Sequence, residues 1–125
     1  MRPSFAPLIL AAAAFTLAQT GCQKNETKAD ASQPLQQSFQ AAEPEVKQAI
    51  ETVTTRLKAG NYTEATKALE QVVTGRRLTD PQKQAVGTAL HQINQAVAAN
   101  PALDTKEMYD LRAKMFQAVH SGPRF

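Results

Sequence analysis

The chain has no tryptophan, a single cysteine, and aromatic side chains at only 6 % of its 125 positions. One cysteine excludes an internal disulfide, so Cys22 is free, joined to another chain, or modified. Cations outnumber anions, 14 to 11, yet no basic run is longer than Arg76-Arg77. A nucleic-acid footprint needs clustered positive charge, often with stacking aromatics between, and is not expected here. Long apolar runs are also missing. The best, residues 8–18, is too short to cross ~30 Å of hydrocarbon as a helix.

Chemistry-bearing patterns are equally sparse. There is no Gly-rich phosphate loop and no nucleophile motif. His91 has Gly87 and Gln95 one helical turn away on either side, and His120 has Phe116 one turn back, so neither has an i, i+4 metal partner. His120 suits the negative end of a helix dipole better. The carboxylates read as caps or members of ion-pair ladders, not as acids held in apolar pockets with raised pKa. No catalytic residue, metal or cofactor is expected.

Helical periodicity is what the chain does have. Val46, Ala49, Ile50, Val53 and Leu57 form one apolar stripe behind Pro44, which suits a first helical turn, and Lys47 and Glu51 can pair on another face. Gly60 fits the left-handed position past a helix end. Asn61 with Glu64 then offers a capping box for a second helix over 62–74, striped by Ala65, Leu69, Val72 and Val73. So short a turn makes the two helices antiparallel neighbours. Gly75 ends the second, and Arg76 and Arg77 follow as dipole complement or as a dock for an anionic partner.

A third helix opens at Thr79 or Asp80 with Pro81 in its first turn, and runs on Ala85/Val86, Ala89/Leu90, Ile93 and Ala96/Val97 to Asn100-Pro101. Gly87 inside it costs ~1 kcal/mol relative to Ala, which suggests a close helix–helix contact. The fourth helix has Asp104 as cap, Glu107 completing the box and Leu103 stapled onto Met108. Its core face is Met108, Leu111, Met115 and Val119, flanked by Tyr109, Arg112 and Phe116, with Lys106, Asp110 and Lys114 as a surface ladder. The expected fold is all-α: a small bundle of three to four antiparallel helices over 44–120, with a frayed tail at 121–125. Ala- and Gln-rich, it has a thin core for its size.

Residues 22–43 carry only Leu35 and Phe39 as large apolar side chains, and read as a flexible linker with a root-mean-square reach of about 25 Å. Residues 33–39 could instead lie as a short helix on the domain, or serve as a partner's recognition segment. Before the linker, Met1-Arg2 and the apolar run of 8–18 form an export leader.

The leader ends in Leu17-Ala18-Gln19-Thr20-Gly21-Cys22, which resembles a bacterial lipoprotein signal over residues 1–22. Gly21 before the cysteine, the small Thr20 and the polar stretch after it fit; Gln19 departs from the usual aliphatic residue. The resemblance implies cleavage before Cys22 and lipid on its thiol and new amino group, with Gln23 resembling outer-membrane sorting. Cleavage after Ala18, giving a soluble exported chain, and no export at all stay open.

Gly60-Asn61-Tyr62-Thr63-Glu64-Ala65, followed by Leu69 and Val72, resembles the turn and second helix of a tetratricopeptide repeat. Thr52-Val53 and Arg76-Arg77 depart from that pattern. The resemblance implies a helical surface for a peptide or protein, and Tyr62, Arg76, Arg77, Tyr109 and Phe116 are the candidate partner surface. Together these readings describe a non-catalytic, exported, lipid-anchored interaction or scaffold protein of the cell envelope, with a protein partner or a second copy. A soluble periplasmic small-ligand-binding protein is the alternative, and would need a pocket inside the bundle.

Overall fold

The computed structural model describes residues 29–121. The leader, Cys22 and the end of the tail lie outside the described residues. Among the described residues there are five α-helices: α1 Ser32–Ser38, α2 Pro44–Ala59, α3 Tyr62–Val73, α4 Asp80–Ala99 and α5 Lys106–His120, with a 3₁₀ turn at Pro101–Leu103 before α5. Among the described residues there is no strand, and no helix is long and apolar enough to cross a membrane.

Local chemistry sets most of the boundaries. Pro44 starts α2, and Gly60 ends it at φ +81°. The Asn61 N–H reaches back to the Arg56 carbonyl (2.9 Å) and the Gly60 N–H to that of Leu57 (3.2 Å), the paired bonds of a Schellman ending. Thr79 caps α4 reciprocally: its hydroxyl accepts from the Gln82 N–H (3.3 Å), and the Gln82 side chain accepts from the Thr79 N–H (3.0 Å).

Two expected caps are different. Asn61 makes no side-chain cap bond, and Glu64 turns outward to Arg56 (3.7 Å) and Lys67 (3.5 Å). With the Schellman ending already using the Asn61 N–H, Glu64 has no donor there to accept from. At α5 the cap is Thr105, whose hydroxyl accepts from the Met108 N–H (3.1 Å). The 3₁₀ turn takes up Leu103 and shifts the helix start, so Asp104 is free to pair with Arg112 at 2.8 Å.

The helices close into a ring in the spatial order α1, α2, α3, α5, α4. Bonded partners give the directions. Lys67 meets Glu107 and Glu70 meets Lys114, so α3 and α5 run parallel. Lys83 near the start of α4 reaches the Ser121 carbonyl beyond α5, so those two are antiparallel. The consecutive helices α3 and α4 barely touch, unlike successive helices stacked in a repeat array. Core side chains come from every helix, with Leu35, Ile50, Leu69, Ile93, Met108 and Met115 fully enclosed.

Residues 31–43 correct the reading of a flexible linker in favour of its alternative, a short helix laid on the domain. They include α1, which fills the slot between α2 and α4, with Ala31, Leu35 and Phe39 buried in the common core. Three glutamines of α4 hold it. Gln82 donates to the Ser38 carbonyl (3.3 Å), while Gln92 and Gln95 accept from the N–H groups of Ala31 (2.9 Å) and Ala29 (3.2 Å). Backbone groups left over at the ends of so short a helix thus find partners on a long neighbour. The folded domain therefore includes residues 31–43 and does not start at Pro44.

Candidate functional site

The side chains expected to form one partner surface are divided. Tyr62, on α3, is half-buried and packs against the core, so its ring serves the fold first. Arg76 and Arg77 are exposed on the connection between α3 and α4, past Gly75 at φ +74°. They border a groove of about 420 Å³ shared with Phe39, Glu43, Val46 and Leu78. Arg76 also borders a groove of about 290 Å³ with Glu45 and Gln71. Glu43 and Glu45 put negative charge beside the arginine pair, so that end of the ring is mixed rather than cationic.

Tyr109 and Phe116 do come together. Both project from α5 at 64 % and 53 % exposure, the large apolar side chains most open to solvent among the described residues. With Leu90 and Asn94 of α4, and with Arg112, Ala113 and Gln117 of α5, they line a groove of about 310 Å³ on the outer α4–α5 seam. Positions 109, 112, 113 and 116 follow helical spacing, so this is a second, outward stripe on a helix whose other face carries Met108, Leu111 and Met115 inward.

Arg112 anchors the floor of this groove. Its guanidinium donates to Asp104 (2.8 Å), to Asn94 (3.0 Å) and, through Nε, to the Met108 carbonyl (3.3 Å). With those donors engaged it ties α5 to α4 and leaves the seam nearly neutral. His120 stacks on Phe116 with ring centroids 4.0 Å apart, and its Nδ1 lies 2.9 Å from the Phe116 carbonyl. That holds Phe116 in its outward orientation and closes the last turn of α5.

Elsewhere the titratable groups act as surface ties. Glu107 beside Lys67 holds that ammonium above its ordinary pKa, and Asp110 does the same for Lys106 (2.9 Å). The backbone N–H of Ser32 lowers the Asp30 carboxyl. Lys114 pairs with Glu70 (3.6 Å) and not with Asp110 in the expected ladder. Among the described residues no three His, Cys, Asp or Glu side chains are grouped to hold a metal. His91 is exposed on α4.

Two features escaped the residue pattern. Gly87 was expected at a close helix–helix contact, but a methyl built there would meet only Val119 Cγ1, at 3.9 Å. The glutamine strap on α1 also went unread, although Gln82, Gln92 and Gln95 recur along one side of α4. Compared with protein-family models, curated proteins and solved structures, the chain matches none of them.

Proposed function

We propose that this is a non-catalytic, exported protein of the bacterial envelope, anchored by lipid on Cys22, whose helices serve as contact surfaces. The observation that supports a contact role best is the outward stripe of Tyr109 and Phe116. Two large aromatic side chains on one seam of so small a domain are the kind of apolar exposure that contacts cover. The arginine pair at the α3–α4 connection is a second surface, offered to a protein partner or to a second copy of the chain. The anchor itself rests on the lipoprotein-like residues 17–22, and Gln23 favours the outer membrane.

Intact mass of the protein purified from membranes tests the anchor. The expected mass is that of residues 22–125 plus acyl chains; an unmodified chain starting at Gln19 would replace the anchor with soluble export. Photo-crosslinking from position 77 in intact cells tests the contact role. A discrete adduct with one protein, or with a second copy, is expected. Intact cells giving no adduct from this position would remove the arginine surface from the proposal.

A further inference from the structure

We infer that the outward face of α5 pairs with the same face of a second copy of this chain, the two helices running antiparallel across a two-fold axis. The inference names the occupant of the contact surface proposed above and rests on that reading. Its first basis is spacing. Tyr109, Ala113, Phe116 and His120 are all exposed and fall four, three and four residues apart, the repeat of a coiled-coil seam. Met108, Leu111 and Met115 fill the other face, so α5 has one stripe for its own core and a second that faces out.

Four-three-four reads the same in reverse. An antiparallel copy therefore sets Phe116 over the facing Ala113, and Tyr109 over the facing His120, with the axis crossing between Ala113 and Phe116. A large side chain then meets a small one. The groove of about 310 Å³ lined by Leu90, Ala113 and Phe116 gives the incoming ring its seat. A parallel copy would instead stack Phe116 on Phe116 and leave Ala113 opposite Ala113.

Charge selects the same direction. The charged side chains of α5 are Lys106, Glu107, Asp110, Arg112 and Lys114, all before Met115. Reversal lays that half on the uncharged half of the facing helix. Parallel pairing would set Lys106 against Lys106 and Asp110 against Asp110, which repel. The five are also bonded within the chain, Lys106 to Asp110 and the other three to Lys67, Asp104 and Glu70, so the contact strands no ion. Lys106 comes to lie toward the carbonyl end of the facing helix, where a cation is favoured. Two exposed aromatic rings from each copy are less than a permanent dimer buries. The pair is a weak one, with a dissociation constant on the order of 10–100 µM.

Photo-crosslinking tests both the occupant and the direction. Benzoylphenylalanine replaces Tyr109, and separately Gln117, in the full chain, which is illuminated in intact cells. Adducts of twice the chain mass are cut with trypsin, which separates residues 107–112 from 115–124. From either probe, the expected join is between 107–112 of one copy and 115–124 of the other. Ala113→Glu puts a charge in the central seat and should lower the yield several-fold. Thr52→Glu, on the exposed face of α2, should leave it unchanged. Circular dichroism of the purified variants checks that each is folded, and the second probe guards against disruption by the first.

No adduct of that mass from either probe overturns the inference, as does an adduct with a different protein. So does a join of 107–112 to 107–112, or a yield indifferent to Ala113→Glu. The adduct from position 77 reports the contact role separately, so that reading stands or falls on its own result.

Discussion

Single residues in this domain divide into those the backbone requires and those it merely tolerates. Gly60 and Gly87 make the contrast. Gly60 sits at φ +81° in the Schellman ending of α2, where a Cβ is strained even though nothing lies within 4 Å of it. Gly87 has ordinary helical geometry, with only Val119 Cγ1 near a built Cβ. Gly60→Ala should therefore lower stability by about 1 kcal/mol. Gly87→Ala should raise it by about 0.5–1 kcal/mol, because a helical glycine costs more backbone entropy than alanine. Urea unfolding of both variants beside the parent checks the opposite signs. The same scale separates the two cap candidates of α5. Thr105→Ala should cost about 0.5–2 kcal/mol through the lost bond to the Met108 N–H. Asp104→Ala should cost less, since it removes only an exposed pairing with Arg112.

At the level of elements, α1 is where the flexible-linker reading fails and the short helix on the domain, its alternative, holds. Leu35→Ala and Phe39→Ala should each destabilise the domain by about 2–5 kcal/mol, because both side chains are buried between α2 and α4. Unfolding midpoints measure this; a free linker at 31–43 would leave them unmoved. Helices α2 to α5 were readable from residues alone, since Pro44, Gly60, Thr79 or Asp80 with Pro81, and Asn100-Pro101 mark their ends and long apolar stripes mark their faces. In α1 seven residues are too few for periodicity to register, and its two anchors sit among glutamines. Its stability comes from packing on α2 and on α4, the latter more than forty positions away and bonded through Gln82 and Gln92, which no local window contains. Pairing was hidden for the same reason. A stripe tells which face is buried, not against which helix, so the parallel contact of α3 with α5 could not be foreseen. Of the five candidate surface residues, Tyr109 and Phe116 were legible as flanks of the α5 core stripe. Tyr62 was not, because a partner-facing and a core-facing ring look alike beside a turn.

For the molecule as a whole, the ring closes through exposed charge as well as buried carbon, and pH separates the two. Lys67 spans α3 to α5 through Glu107, and Lys106 pairs with Asp110 along α5; each is raised above its ordinary value by that carboxylate. A raised pKa in the folded state means the ammonium form favours folding. The contribution is complete below the unfolded lysine value of about 10.4, and fades as pH climbs through the higher folded one. Asp30 has the opposite sign: its lowered pKa contributes above the unfolded carboxylate value and is lost as pH falls through the folded one. These three groups leave stability flat from mildly acidic to mildly alkaline solution, with a small decline at either extreme. Replacing Glu107 tests the alkaline limb, since Glu107→Gln removes the main cause of the Lys67 shift while keeping a side chain of the same shape. Its denaturation midpoint should drop slightly at neutral pH and lose part of the parent's further fall above pH ~10.4. Added salt should narrow the difference between the two proteins, because both partners are exposed. A variant that tracks the parent at every pH would leave the α3–α5 contact to the packing of Met108 and Met115 and to the remaining Glu70–Lys114 pair.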